Sequence, residues 1–528
     1  MGFRFFVLTS FFGLLYVSLG LKLYQLQVEK GDYYFKKAEA RLNAIEHLEL
    51  RRGQIFFTDR NATDIPVSLN RDYPIIYAVP KEIADAENAA VFLASLVDKS
   101  VENLTEDFNN KKSLFKLLVE KASPEQIASI AELNIKGIYS DKKQYRFYPF
   151  ANLSSHLLGF VGVNEENNEP IGLYGLEKFY NKNLADGYNL KFTIDRNIQV
   201  ASEEILVKLI KKFEATGGTV IVEDPQSGKI LALANYPDFN PNEYGDWPIK
   251  NFLNPAVQFV YEPGSVFKPI TMATGIDLKV IASSTSFVDT GSVVLNGKTI
   301  KNWDEKAHGR VSMTNVIEQS INTGAVFAEQ KIGHQKFYEY LKKFGFGETT
   351  GVGLPDEVAG SLKNLEKKKN IKDIDFATAA FGQGTAVTPI QMINAFSALA
   401  NGGLLMRPYV SADEKPYIIR RVISESTSKD VTQMMESAVE KAKIAAIPQY
   451  RVAGKTGTAQ IPDFKNGGYE DAFVHTYIGF APAEDAKFVV LIKIDRPNAL
   501  LAGATVVPAF KELAQFILNY YNIPPDKL

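Results

Sequence analysis

A serine three residues ahead of a lysine, a second serine two residues ahead of an asparagine, and a lysine-threonine-glycine triplet follow one another along this chain. They are Ser265 and Lys268, Ser320 and Asn322, and Lys455-Thr456-Gly457. Together these residue types can run acyl transfer. A serine hydroxyl attacks a carbonyl only when a base lies within hydrogen-bond reach, and a lysine at i+3 on a helix shares the serine's face. For Lys268 to act as that base near neutral pH, its pKa must fall from about 10.4 to roughly 7 to 8, through desolvation and a second cation. Lys455 is the candidate cation. Ser320 is suited to relay a proton to the leaving amine, and Asn322 can bond both a substrate amide and Lys268. On a strand from Arg451 to Gln460, Lys455 and Gly457 point to one face and Thr456 to the other, and Gly457 lets a substrate backbone approach closely. Backbone N–H groups of Ser265 and Thr458 would form the oxyanion hole.

Order along the chain selects this set. The pattern S-x-x-K occurs at Ser113, Ser140, Ser265 and Ser426, so most of its matches are chance. Lys455-Thr456-Gly457 is the sole K-T-G, and Ser320-Ile321-Asn322 is the S-x-N that lies between it and the candidate serines. Ser265 alone follows a Pro263-Gly264 turn at a helix start, inside the same domain as the other two elements. Taken singly, Ser265 reads as a helix cap, Lys268 as a solvated charge, Ser320-Asn322 as a turn and the triplet as a strand edge. The ordered set outweighs those readings. Pro269, directly after Lys268, must fall near the helix start or kink it.

Other chemistries fail on spacing. The five histidines, His47, His156, His308, His334 and His475, never stand at i, i+4, and there is no cysteine, so no metal site is expected. Two P-loop tails lack their leading glycine, with Ser292 and Gln449 in its place, and Pro263 and Phe267 replace the glycines of a nucleophile elbow around Ser265. No cofactor is called for. A formal net charge of −2 gives no reason to expect nucleic acid as a partner.

Several elements must position these residues. The 528-residue chain, 45% apolar and 23% charged, has material for more than one globular domain. Phe5 to Leu21 carries no charge and would give about 26 Å of helix, which Lys22 and Leu23 to Leu26 extend toward the roughly 30 Å of a hydrocarbon core. We read residues 1–26 as a transmembrane anchor; a buried core helix or a signal peptide is the competing reading, although no A-x-A-like site follows. The lysines flanking the run leave its orientation open. Tyr24 to about Ala40 reads as a stalk. Residues 27–200 read as a mixed, non-catalytic module with a strand at Pro74 to Val79 and helices at Ala86 to Val97 and Pro124 to Leu133. The second helix opens on a Ser123-Gln126 capping box and closes at Lys136-Gly137. Residues 201–528 read as the catalytic domain. Thr219 to Glu223 and Ile230 to Ala234 form a hairpin, Arg451 to Gln460, Phe473 to Phe480 and Phe488 to Ile494 are three later strands, and Thr505 to Tyr521 is a closing helix. Strands at both ends with helices between them predict an α+β domain, one antiparallel sheet completed by the C-terminal strands and flanked by helices.

At this point the chain resembles the class B penicillin-binding proteins, membrane-anchored peptidoglycan D,D-transpeptidases with a serine β-lactamase/transpeptidase-like domain. Beyond the triplet, the similar stretches are Tyr261 to Pro269, Phe381-Gly382-Gln383-Gly384 with Val387-Thr388-Pro389, and Arg451 to Gln460. The N-terminal module is similar to the family's dimerisation or pedestal region through Arg52 to Ile55, Asp59 to Asn61, Arg146 to Pro149 and Gly172 to Lys178. It departs from that pattern in the extra residues Phe56 to Thr58. The resemblance implies a single-pass protein of the cytoplasmic membrane with its N-terminus inside and catalytic domain outside. It makes Ser265 the acylated nucleophile and Lys268 its base, with Lys455, Thr456 and Thr458 binding the terminal carboxylate of a D-Ala-D-Ala stem peptide. Implied partners are peptidoglycan stem peptides, β-lactams as inhibitors, a polytopic glycosyltransferase and division proteins, since Tyr261-Glu262 and the Arg451 to Gln460 stretch look like the septal members. The alternatives are a D,D-carboxypeptidase or β-lactamase on the same scaffold, and a catalytically idle β-lactam-binding scaffold.

Overall fold

The computed structural model describes residues 2–25, 30, 52–164, 169–366, 372–463 and 465–527. Its N-terminal segment is a helix, Gly2–Tyr24. The side chains of residues 3–11 lie outside the described ones, and among the described residues no helix is long and apolar enough to cross a membrane. The stalk expected to Ala40 falls outside the described residues, apart from Tyr24, Gln25 and Lys30.

Two compact units interleave along the chain: Met1–Arg52, Asn70–Phe147 and Ala185–Gly187 form one, and Gly53–Leu69, Tyr148–Leu184 and Tyr188–Leu528 the other. In the smaller unit the helices Ala86–Val97 and Pro124–Leu133 occur with the bounds read from the sequence. The capping box is formed, with Ser123 Oγ accepting from Gln126 N and the Gln126 side chain accepting from Ser123 N, an arrangement that contributes about 1 kcal/mol. Its end at Leu133 is made by Asn134, left-handed at the C-cap, just ahead of the Lys136-Gly137 stop signal. The strand expected from Pro74 is the end of a longer one, Ile65–Ala78. A helix at Val101–Asn109, capped by Ser100, is an addition to the elements expected.

The larger unit is built on a five-stranded antiparallel sheet in the order Ala453–Pro462, Tyr469–Ala481, Phe488–Asp495, Gly217–Glu223, Ile230–Tyr236. All five strands predicted for the catalytic domain belong to it, each displaced or extended by a few residues. Its inner strands are apolar on both faces, which requires cover on both sides. Val220 and Val222 pack with Ile205, Leu206, Phe510 and Leu513 of the helices Arg196–Phe213 and Val506–Tyr520. Ile221 and Leu491 turn the other way, into a core shared with the helices Lys268–Asp277, Asn322–Ile332 and Pro389–Ala400. Each fully buried Val, Ile or Leu contributes roughly 1.5 to 3 kcal/mol. The observed class is therefore α+β, with the three motifs carried on helix starts on one side of the sheet and on the sheet's first strand.

Candidate active site

The nucleophile turn is shaped by two glycines. Tyr261 and Val387 exchange backbone hydrogen bonds of 2.9 and 3.0 Å, which sets the chain entering the turn against the segment after Gly384. Gly264 then takes φ +61° and donates its N–H to Gly382 O at 3.0 Å. A Cβ on Gly382 would stand 2.2 Å from Gly264 O, so only glycine allows the two backbones to approach this closely. Residues Gly264–Phe267 form a 3-10 turn, and the α-helix begins at Lys268. The expected single α-helix carrying both residues is thereby corrected. In a 3-10 turn positions i and i+3 eclipse, which brings Lys268 Nζ to 3.0 Å from Ser265 Oγ. Pro269 lies in the first turn of the α-helix, where its missing N–H costs nothing.

Lys268 is completely buried. Besides Ser265 Oγ, its Nζ lies 2.6 Å from Ser320 O, 3.2 Å from Ser320 Oγ and 2.8 Å from Asn322 Oδ1. A charged ammonium has three protons for these four oxygens, whereas a neutral amine has two protons and one lone pair. The neutral form fits a base: its protons satisfy Ser320 O and Asn322 Oδ1, and its lone pair is left for the Ser265 hydroxyl. Burial pushes the Lys268 pKa well below its ordinary value, and the charge of Lys455 pushes it the same way. Burial also brings Lys455 down to about 7.

Ser320 ends the helix Met313–Gln319 in the left-handed conformation, φ 57°, and Asn322 opens the next helix. This sharp reversal aims the Ser320 hydroxyl and carbonyl and the Asn322 amide at one point. Lys455 Nζ reaches Ser320 Oγ at 3.0 Å and also lies near Thr456 O and Thr456 Oγ1, at 3.0 and 3.3 Å. Five of the residues singled out by sequence, Ser265, Lys268, Ser320, Asn322 and Lys455, thus make one continuous hydrogen-bonded cluster.

The strand Ala453–Pro462 stands at one end of its sheet order, so its outer edge is not bonded to another strand of that sheet. An extended peptide can add to such an edge by main-chain hydrogen bonds. Gly457 on this strand also meets the nucleophile turn. A Cβ on Gly457 would lie 2.8 Å from Pro263 O and 3.1 Å from Val266 Cγ1, so Gly457 lets the strand close on the nucleophile turn. The Thr458 hydroxyl accepts a hydrogen bond from Ala502 N at 3.2 Å. Among the described residues no group of three or more His, Asp or Glu could hold a metal ion.

Two supports escaped the sequence reading. Glu262 accepts from Gly384 N and from the Tyr469 hydroxyl, each at 3.0 Å. Asn302 accepts from Asn322 N and Thr323 N at 3.1 and 3.2 Å. Neither had a local signal, since each acts across 20 or more residues.

The penicillin binding protein transpeptidase domain family is matched over residues 218–515, and the penicillin-binding protein dimerisation domain over residues 48–197. Stage V sporulation protein D of Bacillus subtilis (strain 168) is 32% identical over 529 residues, covering 91% of this chain and 80% of that protein. Peptidoglycan D,D-transpeptidase FtsI of Escherichia coli (strain K12) is 28% identical over 544 residues, covering 95% and 89% respectively. A peptidoglycan synthetase from Bifidobacterium adolescentis ATCC 15703 shares the fold, with a TM-score of 0.69 at 24% identity over 91% of this chain and 97% of that one. The ordered motifs meet in one cluster within the matched domain, and the chain belongs to the penicillin-binding protein transpeptidases.

Proposed function

We propose that this chain is a peptidoglycan D,D-transpeptidase that cross-links stem peptides through an ester on Ser265. The observation that carries the reading is Lys268 Nζ, buried and 3.0 Å from Ser265 Oγ. Lys268 takes the Ser265 proton as Oγ attacks the carbonyl between the two D-alanines. The N–H groups of Ser265 and Thr458 receive the developing oxyanion, while Lys455, Thr456 and Thr458 hold the terminal carboxylate. The C–N bond breaks when Ser320, bonded to both lysines, passes a proton to the departing D-alanine amine. An acceptor amine of a second stem peptide then attacks the ester, its proton returns through Ser320 and Lys268, and Ser265 is freed. General acid–base help of this kind is worth roughly 10² to 10⁴ in rate.

Residues 1–26 are proposed as a membrane anchor that leaves residues 201–528 outside the cytoplasm; the uncharged run Phe5 to Leu21 within the helix Gly2–Tyr24 supports this. Residues 27–200 are proposed as the pedestal. A septal role, with a polytopic glycosyltransferase and division proteins as partners, rests on the resemblance of Tyr261-Glu262 and Arg451 to Gln460 to septal members of the family.

Intact mass of the protein during incubation with a penicillin, beside Ser265→Ala, tests the reading. A persistent single adduct absent from the variant is expected. An adduct that turns over with rapid loss of antibiotic would replace the transpeptidase by a β-lactamase, and well-folded protein without an adduct would leave an idle scaffold.

A further inference from the structure

The helix that begins at Asn322 has no cap of its own. Ile321 precedes it with an aliphatic side chain, and no side-chain cap bond is made from that position. The first N–H groups of a helix need acceptors when buried. They find one twenty residues upstream in the sequence, just beyond the strand Lys298–Lys301. Asn302 Oδ1 accepts from Asn322 N at 3.1 Å and from Thr323 N at 3.2 Å.

The orientation of the Asn302 amide is fixed from behind. Its nitrogen donates to Asp289 Oδ2 at 2.8 Å and to Lys306 O at 3.0 Å. Both of these atoms can only accept, so the amide oxygen must face the helix. Asp289 is in turn fully engaged, accepting also from Gly291 N at 2.9 Å, His308 N at 2.9 Å and Thr323 Oγ1 at 2.6 Å. Asp289 and Asn302 are each only 2% exposed. A second amide is set by the same strand end. Asn322 Nδ2 donates to Lys301 O at 2.9 Å, which turns Asn322 Oδ1 onto Lys268 Nζ at 2.8 Å. A slip of Asn302 would therefore be transmitted to the group that holds the base.

We propose that Asn302, oriented by the buried carboxylate of Asp289, is a positioning residue for acylation: it caps the helix at Asn322 from outside and so keeps the Asn322 amide on Lys268. This rests on the roles given above to Ser265 and Lys268. Loss of the cap lets Asn322 leave Lys268 and admits water to it. The charged group facing Lys268 is Lys455, and rehydration weakens both the burial and that repulsion, so Lys268 regains basicity.

The test is the second-order rate of acylation of the full-length protein by a fluorescent penicillin, measured across pH together with the melting temperature. Asn302→Leu, similar in size and unable to cap, is expected to acylate roughly tenfold more slowly near neutral pH. Its acid limb should move to higher pH. The same loss is expected for Asp289→Ala, which removes the carboxylate that holds the Asn302 nitrogen. Asp289→Asn, whose amide oxygen can still accept from the Asn302 nitrogen and from His308 N, should keep rate and limb closer to wild type than Asp289→Ala does. An unshifted limb in folded Asn302→Leu overturns the proposal. If that variant does not fold, an unshifted limb in folded Asp289→Ala overturns it instead. Ser265→Ala is run alongside. An adduct on that variant sinks the nucleophile assignment, whereas its silence beside unaltered Asn302 profiles sinks the positioning role alone.

Discussion

Lys268 and Lys455 share one hydroxyl, that of Ser320, at 3.2 and 3.0 Å. Two buried cations around one neutral group are unfavourable unless at least one gives up its proton. Under the proposed mechanism the arrangement supplies a basic amine beside Ser265 and a proton donor route to the leaving group in a single cluster.

Removing Lys455 should weaken the base while stabilising the fold. Lys455→Met takes away the charge that helps depress Lys268, so the acid limb of acylation moves to higher pH and the neutral-pH rate falls. The stability effect has a definite sign. Lys455 has a folded pKa of about 7 against an ordinary 10.5, so between those values the unfolded chain binds a proton that the native state does not. Native stability thus rises with pH across that window. The variant should melt higher than wild type at pH 7, by on the order of a few kcal/mol, with the advantage fading toward pH 10. A variant less stable than wild type at pH 7 would contradict this.

Ser320→Ala removes the shared hydroxyl and with it the proton for the departing amine. Acylation by an amide donor or β-lactam should fall by roughly 10² to 10⁴. A thioester donor, whose leaving group needs no proton, should lose far less. Equal losses for the two donors would assign Ser320 a purely structural part.

Gly457→Ala places a methyl 2.8 Å from Pro263 O and drives the edge strand away from the nucleophile turn. Overpacking of this kind costs about 1 to 3 kcal/mol. We expect acylation to drop by more than the lost folded fraction accounts for, as read by adduct formation on protein shown to be folded. Wild-type rates would mean that the strand's approach to Pro263 is not needed.

Glu262 ties the nucleophile turn to Gly384 N and the Tyr469 hydroxyl. Glu262→Ala releases both and should slow acylation, whereas Glu262→Gln keeps an acceptor for Gly384 N and should retain most of the rate. Tyr469→Phe, at a partly exposed site, should cost about 1 kcal/mol or less in thermal unfolding. A rate unchanged in Glu262→Ala would remove the tie from the mechanism.

The sequence by itself brought out the residues of the proposed chemistry and most of the elements. Residue type and order along the chain are local information: they sufficed for Ser265, Lys268, Ser320, Asn322 and Lys455, for the five strands, and for the capped helix at Pro124, whose Ser123-Gln126 box lies within four residues. Tertiary structure alone decided how the motifs meet. The 3-10 turn at Gly264–Phe267 depends on Gly382, more than a hundred residues away, accepting the Gly264 N–H. Gly457 reads from the sequence as a place for substrate, and its closeness to Pro263 O shows only once the strand is packed. Asn302 and Asp289 carry no pattern at all, because a cap borrowed from elsewhere in the chain satisfies a helix by proximity in space, and no spacing rule records that.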